Sequence, residues 1–194
     1  MTETNLSEKD SLKLITDMIT LAKGNANQSF FHIILWGWVI IAISLAQFLM
    51  IRYTDWGSAS VSVWLLTIPA GVVSFVYGYT QRKKEKHHSF IDSIYAWIWI
   101  AFIISLVLVL LISFRKMVII TPLVLVIAGA ATFLSGKVIR FNPLIWGGIA
   151  FWVWSLVAFG LQNELNLLIN AVAIFTGYII PGYMLKSKLK KNAI

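Results

Sequence analysis

Six long apolar stretches, separated by short polar segments, follow the polar first 29 residues of the chain. Each has about 20 residues, which is the length that an α-helix needs to cross the hydrocarbon core of a bilayer. The strands of a membrane β-barrel are shorter, about 10 residues, and alternate in polarity. The pattern therefore predicts an all-α bundle of six transmembrane helices at residues 30–51, 60–79, 92–114, 117–137, 143–162 and 165–185.

Composition supports a membrane protein and excludes a soluble one of this length. The 194 residues are 59% hydrophobic and 12% charged, and a soluble domain of this size cannot bury so much apolar surface. The transmembrane domain, 30–185, leaves a cytoplasmic arm, 1–29, and a basic tail, 186–194. No second folded domain is predicted.

The positive charge lies mostly at one end of the predicted helices. Only Arg52, Arg115 and Lys116, of 16 lysine and arginine residues, lie at the other end. Cytoplasmic loops of membrane proteins are enriched in lysine and arginine. We therefore expect a multi-pass protein of the inner (cell) membrane with both termini in the cytoplasm. The net charge of +8 then reflects topology, and nucleic acid is not an expected partner.

The second loop carries the densest positive charge. Its cations are expected to contact anionic lipid, and they are Arg82, Lys83, Lys84 and Lys86.

A tryptophan signature recurs in the odd-numbered helices. It consists of Trp36-Gly37-Trp38, Trp97-Ile98-Trp99 and Trp152-Val153-Trp154, and in the even-numbered helices residues 70–78 match residues 128–136. Fixed spacing of this kind predicts three tandem helical hairpins, related by an axis along the membrane normal. Two alternatives remain open. Tryptophan collects at membrane interfaces without any duplication, and the fifth helix also aligns through Trp146-Gly147 with Trp36-Gly37.

Small residues form a stripe on helices two and four. The stripes are Gly71, Ser74 and Gly78, and Gly129, Thr132 and Gly136. Such stripes let two helix backbones approach closely in lipid, so we expect a packing seam in preference to a ligand site.

Uncharged polar residues enter the predicted bundle. Asn166 and Asn170 share a face of helix six, and Gln47 is expected near the same outer end. These side chains, with Thr176, either join helices by hydrogen bonds or line a polar path through the bundle. Prolines interrupt the even-numbered helices and predict kinks at Pro69, Pro122 and Pro181.

The sequence offers no candidate catalytic, cofactor-binding or metal-binding residues. The chain has no cysteine, and none of its eight acidic residues falls near the centre of a predicted helix, where proton or cation relays place such groups. His87 and His88 are adjacent and lie among lysines, which suits a metal poorly. Hydrolase triads and phosphate-binding loops are missing from the sequence. We expect a non-enzymatic protein without a cofactor.

The arm contains the clearest pattern outside the membrane. Residues 7–23 are predicted to form an amphipathic helix that Gly24 ends, with an apolar face that includes Leu12, Ile15, Met18 and Ile19. This face either lies on the inner leaflet or binds a cytoplasmic partner.

Several strings resemble a family of small, uncharacterised bacterial six-helix integral membrane proteins. They are residues 6–16, Leu35-Trp36-Gly37-Trp38, residues 133–136, residues 143–148 and Ile180-Pro181-Gly182-Tyr183. The family has no assigned activity, and its relatives are often encoded beside a small winged-helix regulator. The resemblance implies a sensor or a regulatory partner of a cytoplasmic factor. A small transporter or channel, perhaps as a homo-oligomer, is the alternative.

Overall fold

The computed structural model describes residues 8–84, 90–116, 120–161 and 163–191. The chain is helical almost throughout these ranges. Its elements are α1 (Glu8–Tyr53), a 3₁₀-helix (Gly57–Leu66), α2 (Thr67–Lys84), α3 (Phe90–Lys116), α4 (Ile120–Val138), α5 (Asn142–Leu161), α6 (Leu165–Ile174), a π-helical turn (Phe175–Ile179) and α7 (Ile180–Lys191).

Six helical segments are long and apolar enough to cross a membrane. They are Phe30–Tyr53, Ala59–Gln81, Ser93–Ser113, Ile120–Val138, Asn142–Leu161 and Leu165–Lys188. The sixth span combines α6, the π-helical turn and α7. The predicted class, an all-α protein with six membrane-spanning helices, is confirmed, and each predicted range overlaps one of these spans.

The spans pack side by side in an open ring. The first span lies between the second and the sixth, the fifth lies between the sixth and the fourth, and α3 packs along α4. Within the described ranges no packed interface joins α2 to α3. The ring is therefore open at one seam, and α2 and α3 form its two edges.

Burial follows this order. In the most apolar stretch of each span, 56% of the residues are buried in the sixth and 44% in the fourth, against 11% in the second and 6% in the third. The edge helices thus present apolar side chains outward, where lipid tails are as favourable an environment as a protein core.

The N-terminal helix does not end at Gly24, contrary to the prediction. α1 runs without interruption through this residue from Glu8 to Tyr53. A glycine inside a helix costs only about 1 kcal/mol relative to alanine, and no proline follows before the membrane span. Continuing the helix keeps the backbone hydrogen bonds that a break would lose. The predicted N-cap Ser7 lies outside the described residues.

All four prolines lie in the first turn of a helix, so they do not kink the middle of a span. Pro69 and Pro122 are the third residues of α2 and α4, and Pro143 and Pro181 are the second residues of α5 and α7. A helix lacks internal acceptors for its first backbone N–H groups, so proline loses nothing there. The irregular turns before α2 and α7 are the 3₁₀-helix and the π-helical turn.

Glycines bring α4 and α5 into backbone contact. A β-carbon added to Gly148 would lie 2.7 Å from the Phe133 nitrogen and 2.8 Å from the Gly129 oxygen. One added to Gly136 would lie 2.7 Å from the Ile145 nitrogen. Real β-carbons do not approach backbone atoms so closely, so these positions exclude larger residues. This crossing anchors the half of the ring that carries the largest buried side chains, among them Phe151 and Leu125.

One ring of each Trp-x-Trp triplet faces outward and the other inward. The outward rings are Trp38, Trp97 and Trp152, and the inward rings are Trp36, Trp99 and Trp154. Residues two apart on a helix are separated by about 200°, which explains the alternation. The inward ring is the first of the triplet in α1 but the second in α3 and α5, so the first triplet has a different rotation.

Candidate functional site

A polar cluster is buried between α1 and α6. The Asn170 amide nitrogen donates a hydrogen bond to the Ser44 hydroxyl oxygen at 2.9 Å. Ser44 is fully buried and Asn170 is 6% exposed, so this bond joins the first and sixth spans inside the bundle. In lipid such a bond contributes about 1 kcal/mol to helix association.

The 3₁₀-helix adds a second bond to the cluster. Trp64 donates its indole N–H to the Gln47 side-chain oxygen at 2.6 Å. Gln47 is 8% exposed and lies one turn beyond Ser44 on α1. The second span is thus tied to the same face of α1 that binds α6.

Asn166 completes the cluster and has an unused acceptor. It is 8% exposed, and its side-chain oxygen has no hydrogen-bond partner within the described ranges. Because α1 and the sixth span run antiparallel, Asn166 and Gln47 both lie one turn from the Ser44–Asn170 bond in the same direction. A buried acceptor without a donor costs about 1–3 kcal/mol, so the cluster offers a free binding position to a donor.

An ion pair lies beyond the cluster at the same end of the bundle. Arg52 Nη1 is 3.9 Å from Glu164 Oε1, and both side chains are partly exposed. Arg52 follows Gln47 on α1 and Glu164 directly precedes α6. The pair therefore spans the entrance between the two helices that form the cluster.

Thr176 does not join the predicted polar path. Its hydroxyl contacts the Val172 and Ala173 carbonyl oxygens and accepts a hydrogen bond from the Trp154 indole at 3.1 Å. This bond turns Thr176 toward α5, whereas Asn170 faces α1. Gln47, Asn166 and Asn170 are together, but the path predicted through all four residues is not formed.

Apolar packing closes the interface on the other side of the cluster. A β-carbon added to Gly37 would lie 2.7 Å from Ile179 Cδ1, and one added to Gly182 would lie 2.7 Å from Ile34 Cδ1. Ile33 and Ile41 are buried on the same stretch of α1. The cluster is therefore bordered by apolar contacts on the side away from Arg52.

The π-helical turn lies next to this closure. Its Gly177 packs against the Phe151 ring, and its Tyr178 ring meets the Phe151 ring edge-on at 4.9 Å between centroids. π-Helical turns are energetically poor and occur frequently at functional sites. The sixth span thus changes its helical register immediately after the segment that carries Asn166 and Asn170.

The two predicted packing seams are used differently. Gly129, Thr132 and Gly136 are buried on α4, and both glycines face α5. On α2, only Ser74 and Gly78 face α1, whereas nothing lies within 4 Å of a β-carbon added to Gly71. The α2 stripe is incomplete because α2 is an edge helix, with one neighbouring span fewer than α4.

A second polar contact between α1 and α2 had no sequence signal beyond the small-residue stripe. His32 Nδ1 is 2.8 Å from the Ser74 hydroxyl, and the Trp36 indole donates to the same oxygen at 3.3 Å. Phe31 and Tyr77 stack beside it with centroids 3.7 Å apart. Only the register of the two helices, which the sequence does not give, brings these residues together.

Several predicted residues lie outside what the structure describes. The side chains of the arm, including the face of Leu12, Ile15, Met18 and Ile19, belong to this group, as do those of Arg82, Lys84 and Lys86. Lys83 is described, and its ammonium group lies 4.7 Å from the Tyr79 ring centroid. In the part of the chain searched, no three histidine, aspartate or glutamate residues form a group that could hold a metal ion.

Comparison with known proteins adds no functional assignment. No protein-family model, curated protein or solved structure shows significant similarity to this chain. The polar cluster, the ion pair beyond it and the uninterrupted α1 are therefore the features from which a function is inferred.

Proposed function

We propose that this protein is a non-enzymatic membrane sensor that regulates a soluble cytoplasmic partner. The observation that carries the proposal is the continuity of α1. This single helix bears two residues of the buried polar cluster, Ser44 and Gln47, and also the amphipathic arm. A change at the cluster can reach the arm without crossing a loop.

The length of α1 suits this role. A helix of 46 residues is about 70 Å long, which exceeds the roughly 40–45 Å of a bilayer with its headgroups. The arm therefore extends beyond the membrane on the side where α1 begins. A small tilt or rotation of α1 in the bundle would move the far end of the arm by several ångströms.

The cluster suits the sensing role because its hydrogen bonds can be exchanged. The unpartnered oxygen of Asn166 lies one turn from the Ser44–Asn170 bond. A donor that enters past Arg52 and Glu164 would bind this oxygen and alter the packing of α1 on α6. Low polarity makes such exchanges costly or favourable by about 1 kcal/mol or more, enough to shift a balanced equilibrium about fivefold.

The arm supplies the regulatory surface. Its apolar residues at Leu12, Ile15 and Ile19 recur at helical spacing, which suits docking into a groove of a folded partner. The family resemblance implies a winged-helix regulator in this position. The positive-inside distribution places the arm in the cytoplasm of a bacterium, with the protein in the inner membrane.

A transporter or channel is the second candidate function. The free acceptor of Asn166 and the nearby π-helical turn favour it, because irregular helix segments occur at transport sites. The apolar contacts of Gly37 and Gly182 with the opposing helix oppose a continuous path. The three-hairpin repeat also fits the ring order, in which two of three seams between hairpins are packed. The open seam at α2 and α3 would then suit a homo-oligomer.

The proposal is tested by cross-linked capture from native membranes. Ile15→Asp places a charge on the apolar face of the arm and should reduce recovery of a stoichiometric soluble protein at least tenfold, because burying an unpaired charge is costly. Thr20→Asp introduces the same charge on the opposite face and should leave recovery unchanged. Deletion of residues 1–24 should abolish recovery but leave membrane insertion intact.

Two results would contradict the regulatory role. One is full recovery of the partner with Ile15→Asp or with the deletion variant. The other is recovery of the protein alone from wild-type membranes, which would favour the transporter or channel.

A further inference from the structure

The geometry points to a binding site for an anionic phospholipid headgroup at the basic end of the bundle. A cavity of about 370 Å³ opens there between the turn that joins α4 to α5 and the helix α7. Its lining is Arg140, Phe141, Asn142, Pro143, Met184 and Lys188. The site is separate from the second loop, where the sequence places its densest positive charge.

Two cations at this cavity are held in place without a carboxylate. Lys188 Nζ lies 5.6 Å from the Phe141 ring centroid, and Phe141 is buried. Within the described residues, the sole carboxylate–cation pair is Arg52 with Glu164, near the opposite ends of α1 and α6. Arg140 and Lys188 therefore have their positive charges free for an anion.

The backbone of Arg140 indicates that its side chain is needed there. Arg140 has φ of 52°, a left-handed conformation that costs about 1–2 kcal/mol for residues other than glycine. Hydrogen bonds from Arg140 N to Lys137 O and from Phe141 N to Gly136 O fix the turn. Glycine or asparagine is the usual residue at such a helix end. An arginine there costs stability but gives a planar group that binds phosphate oxygens in pairs.

The position in the membrane favours a lipid over a soluble anion. Met184 and Lys188 lie at the end of the sixth span, and Pro143 lies at the start of the fifth. Pro143 and the half-exposed Met184 give the cavity an apolar wall, which suits the glycerol and first acyl carbons. The ligand that fits is a phospholipid with a net negative charge, its phosphate between Arg140 and Lys188.

Native mass spectrometry of the full chain in detergent tests this site, with dioleoyl phosphatidylglycerol and dioleoyl phosphatidylcholine as probes. The double variant Arg140→Asn with Lys188→Gln should weaken phosphatidylglycerol binding about 30-fold, because each basic group near a membrane contributes about a factor of five. Asparagine tolerates the left-handed conformation, so the variant should fold. Lys137→Gln removes a cation from the same end that does not line the cavity, and should change binding less than about twofold.

Each other outcome overturns the proposal. The double variant binding phosphatidylglycerol as wild type does would exclude the site, and equal losses with Lys137→Gln would indicate diffuse charge. Equal retention of phosphatidylcholine would exclude headgroup recognition. Competition by millimolar glycerol phosphate, as effective as that by phosphatidylglycerol, would assign the cavity to a soluble anion. Thermal unfolding of each variant verifies that the fold is intact.

Discussion

Replacing Gly148 by alanine should destabilise the bundle by about 2–3 kcal/mol, the range for overpacking a rigid contact. The added methyl group would meet backbone atoms of Phe133 and Gly129 at 2.7 and 2.8 Å. Backbone cannot rotate away as a flexible side chain can, so α4 and α5 must separate. Their crossing is the most extensive interface between two spans, and its loss should be visible as a clear decrease in Tm in detergent.

Gly160 provides the matched control on the same helix. Nothing lies within 4 Å of a β-carbon added there, so Gly160→Ala should leave packing intact. Alanine favours helix over glycine by about 1 kcal/mol, so Tm should stay the same or increase slightly. Equal changes of Tm for the two variants would contradict the close approach of α4 and α5.

Phe151→Ala should cost about 3 kcal/mol, at the lower end of the range for buried aromatic residues. Phe151 is fully buried, and its ring packs against Gly177 and meets the Tyr178 ring at 4.9 Å. In lipid the loss comes from missing contacts and a cavity, because the transfer from water contributes little between helices. The variant should also loosen the π-helical turn, since this ring fills the space beside it.

Phe159→Ala is the control for this substitution. Phe159 is on the same helix but 62% exposed, where lipid tails replace the lost ring. Its Tm should change by less than about 1 kcal/mol in equivalent free energy. If Phe159→Ala were as destabilising as Phe151→Ala, the orientation of α5 in the ring would be wrong.

Hydropathy was sufficient to predict the six spans because each helix must satisfy its own backbone in lipid. It could not predict the order of the spans, because α2 and α4 carry similar small-residue stripes. Only α4 has neighbours on two sides, which is why Gly129 is packed and Gly71 is not. The helix through Gly24 was missed because a local stop signal is weaker than the continuity of the flanking turns.

The polar cluster was predicted in part for a similar reason. Asn166 and Asn170 are four residues apart, so helical spacing alone puts them on one face. Thr176 was misplaced because the π-helical turn and the bond to Trp154 change its direction. Trp64 was missed because its role depends on the 3₁₀-helix that brings it to Gln47, and no sequence signal predicts that element.

The most direct test of the proposed sensor is whether the polar cluster and the arm are coupled. The chain has no cysteine, so Thr20→Cys gives a single site for a spin label on the arm in protein reconstituted into nanodiscs. Asn170→Leu removes the bond to Ser44, whereas Val172→Leu changes an exposed residue two positions away. The account predicts that Asn170→Leu alters the mobility of the label and Val172→Leu does not. Identical spectra for both variants and the wild-type background would contradict coupling through α1.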